Sequence, residues 1–351
     1  MKKYITVSLC SIFILFFSFW CFFISTPAYS ESERRKLAEF PSLTWQSATS
    51  GEFAKQFEEY TTDRFPLRDT WRSMKAYTRL YALMQKENND LFIKDGHISK
   101  IEYPLNEEML EYSVSLFTKI HQTYLQQNNA YIAVIPDKNK YLAELTLDYE
   151  SLNTYLYDGL PFCTPIQIDH LLSAEDYYFT DSHWRQDQIT DVAEYIAQSM
   201  GTELKYDYTS HTLDREFFGV YAGQSALNRK PDTITYLTND TIDRFEVTGA
   251  DAVYDMKKAS GQDAYELFLS GNQPLVTIRN PQNTSGKKLI VFRDSFASSL
   301  MPLLAQGYSE VTMIDLRYIH SQLLGKFVDF SQADVLFLYS AGVLNHSTSM
   351  K

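Results

Sequence analysis

The chain has 351 residues, 44% of them hydrophobic and 22% charged, a globular balance with enough apolar matter for one large domain or one domain plus an appendage. Lys and Arg number 32 against 44 Asp and Glu, a formal charge of -12, and no basic run occurs. That balance excludes a nucleic-acid grip, and three cysteines with no C-x-x-C exclude a disulfide framework or a zinc ribbon.

Met1-Lys2-Lys3 is followed by an uncharged stretch, Tyr4 to Ile24, about the 20 residues that cross a bilayer. Pro27 and the small-x-small triplet Ala28-Tyr29-Ser30 come next. Residues 1–30 are therefore a cleaved signal peptide, or an uncleaved anchor with its lysines inside. Both readings export the rest of the chain, to be secreted or membrane-anchored. Residues 31–90 form an extended entry and a helical region, and 91–351 an α/β domain. Between Gly51 and Gln85, Phe53, Phe57, Tyr60, Trp71, Met74, Tyr77, Leu80, Tyr81 and Met84 recur at helical spacing, interrupted by Pro66. LFIKDGHIS reads as a hairpin turning at Asp95-Gly96, and Glu107 to Gln127 as a helix. AYIAVIP is a buried strand ended by Pro136, and Gln188 to Met200 an amphipathic helix. TITYL and RFEVT are short strands. KLIVFRD, SEVTMIDL and DVLFLYS are strands separated by the helical SFASSLMPLLAQ and IHSQLLGKF. That alternation predicts parallel strands buried on both faces, with ligands at their carboxyl ends.

Three places carry candidate chemistry. In Phe179-Thr180-Asp181-Ser182-His183-Trp184, Asp181 stands two residues before a histidine. A carboxylate on the far ring nitrogen is what a histidine base needs. Trp184 offers an apolar wall or a sugar-stacking face. The plainer alternative is a helix N-terminus capped by Asp181 or Ser182. A metal is not expected, because no second His/Asp/Glu cluster completes a ligand set. In Val291-Phe292-Arg293-Asp294-Ser295-Phe296, a buried strand delivers Ser295 to the first turn of a helix, where free N–H groups favour an oxyanion. Its plainer reading is an N-cap. Beside other strand ends lie Asn272, Arg317, Asn345 and Lys138, each a turn or surface residue in the plain reading and a substrate or oxyanion contact in the functional one. Together Ser295, His183 and Asp181 make a serine-type triad.

These motifs occur in a fixed order: SERRKLAEFP, QFEEYTTDRFPLRD, IKDGHISK, VIPDKNKYL, FTDSHW, FFGVYAG, FLSGNQPLVTIRN, KKLIVFRDSFASSLMPLL, VTMIDLRYI and DVLFLYS. In them the chain resembles the bacterial DHHW protein family, which is related to the SGNH-hydrolase-like alginate O-acetyltransferases. The resemblance covers nearly all of the exported part. It implies an SGNH-hydrolase-like three-layer α/β/α fold with a mostly parallel sheet behind the N-terminal hydrophobic helix. It implies Asp181 as orienter, His183 as base and Ser295 as nucleophile, with no cofactor. Ser182 stands where the family name anticipates a second histidine, and Arg293 where SGNH enzymes carry glycine. The N–H groups of Ser295 and Phe296 are the expected oxyanion donors, joined by Asn272 or Arg317. The activity implied is O-acetylation of a surface or extracellular polysaccharide through an acetyl-serine. Its acetyl donor would be a multispanning membrane acyltransferase. Two alternatives are a carbohydrate O-acetyl esterase and a non-catalytic surface protein that binds glycan or an assembly partner.

Overall fold

The computed structural model describes residues 2–23, 27–30, 32–142, 145–205 and 207–351. The chain divides into two units, Met1–Asn89 with Val220–Arg229, and Asp90–Gly219 with Lys230–Lys351.

The first unit opens with the apolar helix Lys2–Phe23. A two-residue hairpin follows, β1 (Tyr29–Ser30) against β2 (Arg35–Lys36). The helical stretch then splits as Pro66 dictates, into Glu52–Asp63 and Arg68–Tyr77, the second running on into a π turn at Thr78–Ala82. Trp71 and Met74 of that second helix, and Leu67 at its N-cap, are exposed.

The second unit starts with the hairpin β3 (Leu91–Lys94) and β4 (His97–Lys100). Asp95 and Gly96 turn it with φ of 51° and 88°, both in the left-handed region that a tight two-residue turn requires. A seven-stranded sheet is its centre: β5 (Ala130–Ile135), β6 (Cys163–Pro165), β9 (Glu246–Thr248), β10 (Leu275–Arg279), β11 (Lys288–Arg293), β12 (Glu310–Ile314) and β13 (Ala333–Ser340). A separate antiparallel pair, β7 (Thr209–Thr212) and β8 (Thr235–Thr238), lies outside it. The spatial order is β6-β5-β13-β11-β12-β10-β9. The first five strands are mutually parallel and β10 is antiparallel to both its neighbours.

Each apolar strand serves two cores, because successive side chains leave opposite faces. Val335, Phe337 and Tyr339 of β13 join Ile132, Val134, Ile290 and Phe292 on one face. Leu110, Phe117 and Ile120 of the Glu107–Ile120 helix and Leu152 and Leu156 of the Tyr149–Gly159 helix cover that face. Leu336 and Leu338 join Ala133, Ile135, Leu289 and Val291 on the other. There the cover is Val192, Ala193 and Ile196 of the Thr190–Ser199 helix and Leu300, Leu303 and Leu304 of the Ala297–Leu304 helix. The result is a three-layer α/β/α fold of SGNH-hydrolase type. Two elements differ from the sequence reading. The stretch expected as a helix at IHSQLLGKF is a 3-10 turn, Ser321–Lys326, with Leu324 alone of its leucines fully buried. The sheet also carries the antiparallel β10 between β12 and β9.

Candidate active site

Ser295 follows β11 directly, in the turn before the Ala297–Leu304 helix. The turn is held by Asp294, which is fully buried. One of its carboxylate oxygens accepts the Phe296 N–H at 3.0 Å, and the other accepts the Ser340 N–H at 2.7 Å from the end of neighbouring β13. The serine is thus fixed to the carboxyl edge of two parallel strands, where such sheets place their ligands.

His183 reaches that edge from a loop closed by the Tyr177–Trp184 bridge. Its Nε2 lies 2.8 Å from Ser295 Oγ and its Nδ1 2.6 Å from Asp181 Oδ1. The same Asp181 oxygen accepts the His183 backbone N–H at 3.0 Å. Asp181 therefore holds the histidine at two points and caps no helix. Asp181 is buried, while Ser295 and His183 are partly exposed.

Several residues fix this loop. Lys138, at the end of β5 and fully buried, donates to the carbonyls of Tyr178 at 2.8 Å, Asp181 at 2.6 Å and Phe179 at 3.3 Å. Burial pushes its ammonium down to about 8, against the pull of Asp137, Asp181 and Asp232. Burial also pushes neighbouring Asp137 up to about 6. Asp232 accepts the N–H groups of Phe179 and Thr180, each at 2.8 Å, and the Thr180 hydroxyl at 2.6 Å. Gly219 sits so close that a Cβ there would lie 2.2 Å from Asp181 Cβ and 2.5 Å from Asp181 Cα. Tyr265 stacks on the His183 ring at 4.0 Å and 15°, with Phe296 on it at 4.8 Å and 48°. The Tyr265 hydroxyl bonds Ser299 Oγ at 2.9 Å in the serine helix.

The six contact candidates fare differently. Trp184 is fully buried, its Nε1–H donating to Phe296 O at 2.9 Å and Ser299 Oγ at 3.0 Å. It ties the histidine loop to the serine helix, and the expected sugar-stacking face is not available. Phe296 gives its N–H to Asp294, which corrects its expected place as an oxyanion donor. Among the described residues, none accepts the Ser295 N–H. Arg317 is committed to Asp315, at 2.9 Å from Nε and 2.6 Å from NH2. Asn345 is buried, accepting the Asn106 N–H at 2.7 Å and donating to Pro104 O at 3.2 Å, so its amide is also spent on structure. Asn272 lies exposed on the bend before β10. Lys138 positions the loop from beneath.

Sequence reasoning missed Asp294, Asp232, Gly219 and Tyr265. Asp294 and Gly219 stand inside quoted motifs, RDSF and FFGVYAG. Tyr265 is one of 25 tyrosines, and nothing in its surroundings singles it out. Arg293, which stands where a glycine was anticipated, is fully buried and donates to Gln273 O at 3.1 Å. Among the described residues no three His, Cys, Asp or Glu side chains gather to hold a metal. Cys163 is buried in β6, and burial pushes its thiol up to about 12.

No protein-family model matches the sequence, and neither does any curated protein. Solved structures do match in fold. A DHHW family protein from Eubacterium siraeum aligns over 75% of this chain and 94% of its own, at 22% identity and a TM-score of 0.56. Bacillus cereus PatB1 aligns over 73% and 97%, at 20% identity and a TM-score of 0.60. A second PatB1 structure, with a sulfonyl adduct, aligns over 72% and 95% at 21% identity and a TM-score of 0.59. Identities this low speak for the fold and not for the chemistry. In fold, the chain is similar to the DHHW family structure and to PatB1, the resemblance its motifs carry.

Proposed function

We propose that the chain is an exported serine acyltransferase that O-acetylates a cell-surface or extracellular polysaccharide through an acetyl-serine. The observation that carries this reading is the unbroken line Asp181–His183–Ser295, with 2.6 Å and 2.8 Å links and Ser295 partly exposed. His183 Nε2 takes the Oγ proton as Oγ attacks the acetyl carbonyl, and Asp181 steadies the imidazolium. The Ser295 N–H, which no described residue accepts, is the proposed backbone donor for the oxyanion, with exposed Asn272 as a side-chain candidate. Collapse expels the donor's leaving group, which takes the proton from Nε2. A sugar hydroxyl then gives its proton to Nε2 as it attacks the acetyl-serine carbonyl; collapse breaks the Oγ–acyl bond, and Nε2 returns the proton to Oγ to restore the free hydroxyl.

The N-terminal apolar helix supports export, and an exported chain has a surface glycan as its accessible acceptor. A multispanning membrane acyltransferase is the proposed source of acetyl groups, since the acetyl must be carried across the membrane. PatB1 has been captured with a sulfonyl adduct. A sulfonyl electrophile is what an activated hydroxyl attacks, so the same reagent class suits Ser295. The partial exposure of Ser295 and His183 also admits water, which favours an esterase as the second reading. The two differ only in the final acceptor.

Mass spectrometry of surface glycan from cells with and without the gene separates them. The transferase predicts loss of O-acetyl groups without it, restored by the wild type and not by Ser295→Ala. A gain of O-acetyl assigns the esterase. No change in either direction removes both.

A further inference from the structure

The first unit carries an apolar face that the catalytic reading does not use. Trp71 and Met74 fall three residues apart on one face of the Arg68–Tyr77 helix, with Leu67 at its N-cap and Phe65 two residues before that cap. Such a stripe normally faces a core. Here Leu67 is 56% exposed, Met74 54%, Trp71 39% and Phe65 37%.

What covers it is indicated by its contact with the N-terminal helix. Phe17 of that helix stacks on Phe65 at 5.3 Å and 5°, and meets Trp71 at 6.5 Å edge-on. Apart from this junction, half-buried Trp20 and buried Cys21, the segment Tyr4–Cys21 is exposed along its length and strongly apolar. A helix of that kind finds its solvent in lipid. At 1.5 Å per residue its 22 residues measure about 33 Å, against about 30 Å of hydrocarbon. Phe17 lies six residues before the Phe23 end, about 9 Å inward. Phe65 and Trp71 therefore meet the helix within the roughly 5–10 Å that interfacial apolar side chains reach below the headgroup boundary.

The peptides that a signal peptidase would need are built into the same unit. Tyr29 and Ser30 pair with Lys36 and Arg35 in the β1–β2 hairpin. The Ala28 carbonyl accepts the Leu37 N–H at 3.0 Å, the Pro27 carbonyl accepts from Arg64 at 3.0 Å, and Ser30 is buried. In the folded chain this stretch is therefore a paired part of the unit and not a loose tail.

We propose that the N-terminal helix is retained as an anchor and that Phe65, Leu67, Trp71 and Met74 dip into the outer interface of the bilayer, seating this unit on lipid. This rests on the export reading above and is independent of the chemistry at Ser295.

The test uses the full-length protein with its three cysteines changed to alanine and one new cysteine, Leu67→Cys, Met74→Cys or Glu58→Cys. Each is labelled with an environment-sensitive nitrobenzoxadiazole dye and reconstituted into phosphatidylcholine–phosphatidylglycerol vesicles at high lipid-to-protein ratio. Probes at 67 and 74 should shift to the blue and lose emission to a lipid spin label near the headgroup end of the acyl chain. The exposed Glu58 position should do neither. Emission at both 67 and 74 like that at 58 overturns the proposal. So does a blue shift without lipid quenching, which assigns the stripe to a protein partner or second copy. A mature chain from cells that begins after Ser30 also overturns it. Sedimentation with the vesicles while the probes stay wet defeats this inference alone. Failure to sediment defeats the anchor, and esterase activity in detergent reports separately on Ser295.

Discussion

Asp181 can hold His183 only because nothing stands behind it. The Cβ that alanine would add at Gly219 has to share space with the Cα and Cβ of Asp181. The backbone at Gly219 does not need a positive φ, so the requirement is closeness alone. Gly219→Ala should push the carboxylate out of line, and a misplacement of about 1 Å costs on the order of 100-fold in rate. Acetyl-ester hydrolysis by the folded variant, checked by near-ultraviolet circular dichroism, measures this. A rate equal to wild type would show that Asp181 is not held by this approach. Lys138 gives a pH signature. Its ammonium serves three carbonyls of the histidine loop, and the neutral amine has only two N–H groups. Since burial lowers the ammonium to about 8, activity should fall as pH rises through that value. Stability moves the other way. The unfolded lysine titrates near 10.4, so between pH 8 and about 10 the unfolded chain holds more protons, and the contribution of this group to stability rises with pH. The activity loss is therefore local, not unfolding. Lys138→Met should be slow throughout and lack this alkaline limb, and rate profiles run beside thermal unfolding over that range check both halves.

At the scale of elements, legibility followed burial pattern. Continuous apolar runs, Leu289 to Phe292 in KLIVFR and Val335 to Tyr339 in ADVLFLYS, announce strands buried on both faces, and β11 and β13 are those strands. Asp95-Gly96 announces a tight turn by its need for positive φ. The antiparallel β10 was not legible as such, because LVTIR has the composition of any short strand and direction leaves no mark on composition. IHSQLLGKF has helical residues and no cap, and only one of its leucines is fully buried, so it closes as a 3-10 turn. The two-sided sheet makes its own prediction. Phe337, fully buried at the centre of β13, packs on Phe117 at 4.6 Å and Phe292 at 4.9 Å. Phe337→Ala should cost about 3–5 kcal/mol in denaturant unfolding. Because β13 also supplies the Ser340 N–H to Asp294, the surviving fraction should show a weakened serine turn. A loss below about 1 kcal/mol would mean the site had collapsed to fill the cavity.

Over the whole molecule, the central event is a meeting across 112 residues, between an imidazole from a loop and a hydroxyl from a strand end. The residue types were legible because Asp-x-His and strand–Asp-Ser–helix each carry a chemical reason for their spacing. Their meeting was legible only through the family resemblance, since no local signal encodes a contact between distant segments. The clamp around them was not legible. Trp184 looks like a sugar platform in sequence and is a buried tie in the structure, and Arg317 and Asn345 look like free donors and are already bonded. Nor does any local feature announce that Val220–Arg229 groups with Met1–Asn89. Reaction of the full-length protein with a sulfonyl fluoride, followed by peptide mapping, addresses the line from Asp181 to Ser295 most directly. The account predicts a single sulfonylated peptide bearing the tag on Ser295, absent in Ser295→Ala and formed far more slowly in His183→Ala. Equal labelling of all three proteins, or a tag on any other residue, would contradict it.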